Sequence, residues 1–89
     1  MEITQVRIRK LLADGRLRAV VSVTFDGVFA VHDIKVVQGE SRLFVAMPSR
    51  RDSDGSFRDV VHPITPAFRQ MTEKAVLESY AAALNEKSS

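Results

Sequence analysis

Cysteine is absent from this 89-residue chain, so thiolate catalysis and thiolate metal binding are closed to it. Two histidines are present, His32 and His62, in neither an HExxH pattern nor a metal-ligand spacing. His32-Asp33 falls inside a strand-like run, where neighbouring side chains face opposite ways and cannot easily serve one substrate. His62 precedes Pro63 at the end of an apolar run, a turn or packing position. Asp52 and Asp54 stand close together in a polar segment, but the further carboxylates of a calcium loop are missing, so they read as solvated loop acids. Gly15, Gly27, Gly39 and Gly55 occur singly, each in a turn-like context, and not as a phosphate cradle. This inventory predicts no catalytic residue, no metal site, no cofactor and no small-molecule substrate.

The basic side chains carry what chemistry remains. Arg50-Arg51 follows Pro48, Arg58 comes soon after, and Arg69 lies in the first turns of a predicted helix. Guanidinium groups bridge phosphate oxygens, and a helix N-terminus adds unsatisfied N–H groups that attract the same anion. A second group is Arg7, Arg9 and Lys10, which Arg16 and Arg18 join across a predicted hairpin on one outer face. That group fits phosphate contacts or a solubilising sheet face equally. Aromatic residues are not interleaved with either group. Phe57 alone lies near the arginine pair, and it is expected inside, so base stacking is not indicated.

The elements that must position these residues are mostly strands. Ile3 to Leu12 alternates, Ala13-Asp14-Gly15 turns, and Leu17 to Phe25 places Leu17, Ala19, Val21, Val23 and Phe25 on one face. Asp26-Gly27 signals a two-residue hairpin with positive φ at both positions. Val28 to Val37 is apolar on both faces, which suits a central strand or one covered by a partner chain. Leu43 to Met47 is a short fourth strand, Pro48 to Ser56 a polar loop, and Phe57 to His62 a fifth strand. Thr65-Pro66 reads as N-cap and first helical position, and Ala67 to about Leu84 continues as helix. Phe68, Met71, Ala75, Val76, Tyr80, Ala83 and Leu84 form its apolar stripe. The class is therefore α+β: an antiparallel sheet of about five strands followed by a C-terminal helix packed on it. Residues 1–84 form one domain and residues 85–89 a frayed tail.

Composition narrows the setting. Thirteen Lys and Arg against eleven Asp and Glu leave a net charge of only +2, so the distribution of charge matters more than its sum. A domain this short buries a small share of its surface, and without disulfides oligomerisation is a natural source of extra stability. The N-terminus lacks the apolar core of a signal peptide, and no window approaches a membrane span. A cytoplasmic protein is expected.

Several motifs, in order, resemble one family. They are VRIRK (Val6 to Lys10), VSVTFDG in the second strand, VHDIKVVQG (Val31 to Gly39), FVAMPSRR (Phe44 to Arg51) and DGSFRDVVHPI (Asp54 to Ile64). Together they resemble the SpoVG septation-protein family from Met1 to about Tyr80. Arg42 and Asp52 depart from the expected pattern, in which Gly and a residue such as Thr stand there. The resemblance implies a small dimeric bacterial protein that binds DNA, with RNA a second ligand for some members, and that regulates septation or wider gene expression. The expectation is thus a homodimeric, non-enzymatic regulator that contacts nucleic acid through Arg50, Arg51, Arg58 and Arg69, with Arg7, Arg9 and Lys10 as further candidates. The rival is a protein-interaction adaptor in cell-division control, with nucleic-acid binding incidental.

Overall fold

The second strand sets the pattern for everything around it. In the computed structural model, which describes residues 1–88 and side chains as far as Glu86, β2 (Leu17–Phe25) buries Ala19, Val21, Val23 and Phe25 on one face. It lies between β1 (Ile3–Leu11) and β3 (Phe29–Gln38), and β4 (Leu43–Ala46) completes an antiparallel sheet in the order β1-β2-β3-β4. A separate ribbon of β5 (Ser49–Arg51) and β6 (Phe57–Asp59) precedes α1 (Pro66–Ser88), the one helix among the described residues. The fold is the expected α+β arrangement of an antiparallel sheet covered by a C-terminal helix. The fifth predicted strand does not join the main sheet, because Pro48 ends β4 and the chain turns away into the ribbon. The ribbon's first strand forms within the segment expected to be a loop. The helix runs on through residues expected as a tail, as far as Ser88, and Ser89 lies outside the described residues.

Register shifts keep the apolar side chains on one face. On β1, the pairing slips between Ile3 and Gln5 and again between Ile8 and Lys10. Ile3, Val6, Ile8 and Leu11, unevenly spaced in sequence, all pack against the core as a result. On β3, Ile34 pairs with Val21 but Val31 pairs with Val23, so one extra residue is accommodated, and Asp33 takes a left-handed φ of 64°. Val31, Ile34 and Val36 therefore share the core face. The two-faced apolar reading of this strand came from assuming an unbroken period of two; the bulge resets the phase, and the strand has one core face.

The helix closes that face. Thr65 caps it as expected, its Oγ1 accepting a bond from the Phe68 N–H (3.2 Å) while its carbonyl accepts from Arg69 N–H (3.1 Å). Phe68, Thr72, Val76 and Tyr80 form its inward row, and the Phe68 ring lies 5.7 Å from that of Phe25. Thr72 replaces Met71 in this row: the Thr72 side chain is buried and donates to the Phe68 carbonyl (2.9 Å), while Met71 is exposed. Val21, Val23, Val36 and Val76 are fully buried, each contributing about 1.5–3 kcal/mol as an upper value.

The β2–β3 turn has the expected chemistry with one extra residue. Asp26 (φ 53°) and Gly27 (φ 67°) are the central pair of a type I′ turn, closed by the Val28 N–H donating to the Phe25 carbonyl (3.1 Å). Val28 then loops out, and Phe25 pairs with Phe29. β1 clasps the turn: Glu2 N–H donates to the Asp26 carboxylate (2.8 Å), and Gly27 N–H donates to the Thr4 hydroxyl (2.9 Å). A Cβ on Gly27 would meet no atom within 4 Å, so the cost of adding a side chain there is one of backbone conformation alone. Gly27→Val is expected to destabilise the fold by about 1–3 kcal/mol, read as a lowered urea midpoint with unchanged slope. An unaltered midpoint would contradict this account of the turn.

Candidate nucleic-acid interface

The β5–β6 ribbon carries three of the predicted site residues and stands apart from the rest of the chain. Its register pairs Ser49 with Asp59, Arg50 with Arg58 and Arg51 with Phe57. Directly paired residues share a face, so Arg50 and Arg58 lie on one side, and Arg51 and Phe57 on the other. All six strand residues are exposed. No Cα of either strand comes within 8 Å of a Cα in the main sheet or the helix.

A two-stranded ribbon has little intrinsic stability, so its ends must be tied. At the base, Val60 N–H donates to the Pro48 carbonyl (2.8 Å). At the tip, Asp52 N–H donates to Ser56 O (2.8 Å), and Gly55 N–H donates to Asp52 O (3.0 Å), with Gly55 at φ 89°. The Asp54 carboxylate accepts from both the hydroxyl (2.6 Å) and the backbone N–H (3.0 Å) of Ser56.

Charge on the ribbon is balanced in sum and uneven in placement. Arg50, Arg51 and Arg58 face three acids of the same segment, Asp52, Asp54 and Asp59. Asp52 is taken by Arg58, whose Nε lies 3.3 Å away, an exposed pair worth at most about 1 kcal/mol. Asp54 is engaged by Ser56. Arg50 and Arg51 form no ion pair among the described residues. The two guanidiniums are adjacent in the chain and project from opposite faces of the ribbon.

The other predicted residues lie elsewhere. Arg69 is exposed on the first turns of α1, and no Cα of the helix lies within 8 Å of a ribbon Cα. In the strand group, Arg7 pairs with Ser22 and Lys10 with Val20, on the face away from the core. Arg9 falls at a register shift and borders a groove between β1 and the helix, beside Ser79, Ala83 and Glu86. Arg16 and Arg18 donate to the carbonyls of Gln38 (3.3 Å) and Ala13 (2.8 Å), so they tie turns together. The expected single basic face is therefore divided by the bulges. Arg7, Arg9 and Lys10 also lie on an edge strand, where charge and bulges discourage pairing with another chain.

Two features escaped the sequence reading. Phe57, expected inside, is 72% exposed, because the ribbon has no core to receive it. Ser22 Oγ and His32 Nδ1 share a hydrogen bond of 2.7 Å across the sheet. That pair has the types of a nucleophile and a base, but Ser22 is buried, which leaves its hydroxyl little open to a substrate. It pins β2 to the bulge of β3. Finding the Ser22–His32 pair needs the β2–β3 register, and finding the exposed Phe57 needs the placement of the ribbon in the fold.

The conjunction of this sheet, ribbon and capped helix can be set against known proteins. The profile of the SpoVG family matches residues 1–82. The chain belongs to the SpoVG family. It is 52% identical over 85 residues to a protein of Caldicellulosiruptor saccharolyticus, covering 96% of this chain and 97% of that one. It is 54% identical over 86 residues to one from Clostridium novyi (97% and 86% covered), and 54% identical over 84 residues to one from Clostridioides difficile (94% and 91% covered). Each of those relatives is provisionally named septation protein SpoVG. Among the described residues, no helix is long and apolar enough to cross a membrane.

The ribbon tip also makes a pH-dependent prediction. The Ser56 hydroxyl first, and its backbone N–H second, stabilise the charged Asp54 carboxylate and hold its pKa below the ordinary aspartate value. The support this lends the tip is present above the unfolded aspartate pKa and is lost as pH falls through the lower, folded value. Ser56→Ala removes the larger of the two bonds. The Asp54 midpoint, followed by carboxyl NMR, should then move up toward the ordinary value; an unmoved midpoint would show that the hydroxyl bond is not formed in solution.

Proposed function

We propose that this SpoVG-family chain is a homodimeric, cytoplasmic nucleic-acid-binding regulator that acts in septation and wider gene expression, and that it is not an enzyme. The observation that carries this reading is the tied, exposed ribbon with Arg50 and Arg51 free of ion pairs among the described residues. The names of the relatives supply the link to septation. DNA is the primary ligand and RNA the second. Arg50 and Arg51 contact phosphate; Arg58 assists from the opposite strand, partly held by Asp52. Arg69, Arg7, Arg9 and Lys10 sit on elements with no Cα within 8 Å of the ribbon and would extend the footprint along a longer ligand.

Binding through phosphates releases counterions, so affinity falls steeply with salt. Changing Arg50 and Arg51 together to Ala should weaken binding to all duplexes alike and reduce the log–log salt slope by about 0.9 for each phosphate no longer neutralised. The fold should survive, since exposed substitutions cost within about 0.5 kcal/mol. Mobility-shift assays at several salt concentrations provide the test. Equal affinity and slope in the variant would remove the ribbon as the phosphate site; loss of one sequence with retention of others would make the arginines base readers.

The apolar surface supports the oligomeric part of the reading. Val28, Phe29, Val60 and Ile64 are 87%, 55%, 62% and 88% exposed. Phe29 and Ile64 border an apolar groove of about 380 Å³ with Phe25, Met47 and Phe68. Exposed apolar side chains beside such a groove support a protein contact. Sedimentation should find a dimer at micromolar concentration. A folded monomer would refute self-association and move this surface to the adaptor reading, in which it receives another protein.

A further inference from the structure

Phe57 is the one large apolar residue between Ser49 and Asp59. It is 72% exposed, and its own strand pairing sets it beside Arg51. No Cα of either ribbon strand lies within 8 Å of the main sheet or the helix, and no core receives the ring within the chain. The ledge that carries it is held at both ends by backbone hydrogen bonds, so the ring is presented from a defined position. The Arg51 guanidinium reaches toward the tip: a Cβ added at Gly55 would lie 3.7 Å from Arg51 Nη2.

An exposed aromatic face beside an unpaired guanidinium matches one ligand chemistry well. An unpaired base offers a flat π-face to the ring, and the phosphate next to it offers oxygens to the guanidinium. Bases in a duplex have their faces hidden in the stack and present only edges in the grooves. We propose that the Arg51–Phe57 face of the ribbon is a stacking platform for an unpaired base of single-stranded nucleic acid, with Arg51 holding the adjoining phosphate. This inference rests on reading the ribbon as a phosphate site and adds the strand state of the ligand and the residue that senses it.

A second copy of this chain is a poorer occupant. A twofold contact through Phe57 would bring both copies' Arg50, Arg51 and Arg58 together, and like charges oppose it. Phe29 and Ile64, on the apolar groove, are the better residues for a protein contact.

The test compares the unaltered full chain with Phe57→Leu, Phe57→Trp and the double change Arg50→Ala/Arg51→Ala. Fluorescence anisotropy would follow binding to a labelled oligo-dT of about 15 nucleotides, an RNA of equal length and a duplex of equal length. Sedimentation and urea midpoints would be taken alongside. Phe57→Leu keeps an apolar side chain and loses the π-face. It should weaken single-strand binding roughly 5- to 150-fold, the effect of losing one stacked base, and change duplex binding less than about twofold. Phe57→Trp should bind single strands at least as well as the unaltered chain. Equal single-strand affinity in Phe57→Leu, or equal losses on single strand and duplex, would overturn the platform. A change in sedimentation on Phe57→Leu would also overturn it and make Phe57 a self-association residue. If the arginine variant loses affinity while Phe57→Leu does not, the platform alone fails. If the arginine variant keeps both affinity and salt slope, the phosphate reading fails and the platform falls with it.

Discussion

The fold depends on one act of burial: the single apolar face of the β2–β3 pair must be covered, and one helix is available to cover it. Val21, Val23, Ile34 and Val36 supply the sheet side, and Val76 and Tyr80, with Phe68 beside them, supply the helix side. A small domain has few apolar side chains to spare for the wrong face. The register shifts on β1, β2 and β3 follow from this demand. Those on β1 and β3 insert a residue where the sequence period would otherwise carry an apolar side chain outward. The bond between Ser22 and His32 then holds β2 to β3 where the phase changes.

The same demand explains the ribbon. Once the four-stranded sheet and the helix have closed on each other, the β5–β6 ribbon between them offers Phe57 as its one large apolar side chain and is left in solvent. Its stability comes from local hydrogen bonds at base and tip, not from packing. Side chains there take no part in the core, which leaves them available to a ligand. The consequence is that such a ribbon is weakly held on its own, and the Asp52–Ser56 turn does much of the holding.

Electrostatics on this chain is a matter of position. The net charge of +2 is too small to draw a polyanion from a distance. Arg16 and Arg18 are engaged by carbonyls, Arg58 leans on Asp52, and the basic residues of β1 guard a sheet edge. Arg50 and Arg51 are among the cations with no ion pair in the described residues; they are side by side in sequence yet on opposite faces of the ribbon, so they reach toward different parts of a ligand. This is why the proposed binding is local and why an exposed ring beside one of them changes what the surface can recognise.

By itself the sequence determined the class, the family and most of the elements. Alternation from Leu17 to Phe25, the Asp26-Gly27 turn and the Thr65-Pro66 cap are local signals whose geometry follows from a few adjacent residues, and each appears in the structure. It also picked out Arg50 and Arg51 as exposed, since they sit among polar residues after a strand-ending proline. Tertiary structure alone decided the rest. Whether β3 has one apolar face or two, whether Thr72 or Met71 turns inward, and whether Arg69 meets the loop arginines all depend on phase and distance across the fold. Phe57 is the clearest instance. An aromatic residue is ordinarily buried because it ordinarily has a core within reach. Here the core had closed without it, and no local pattern of residues records that.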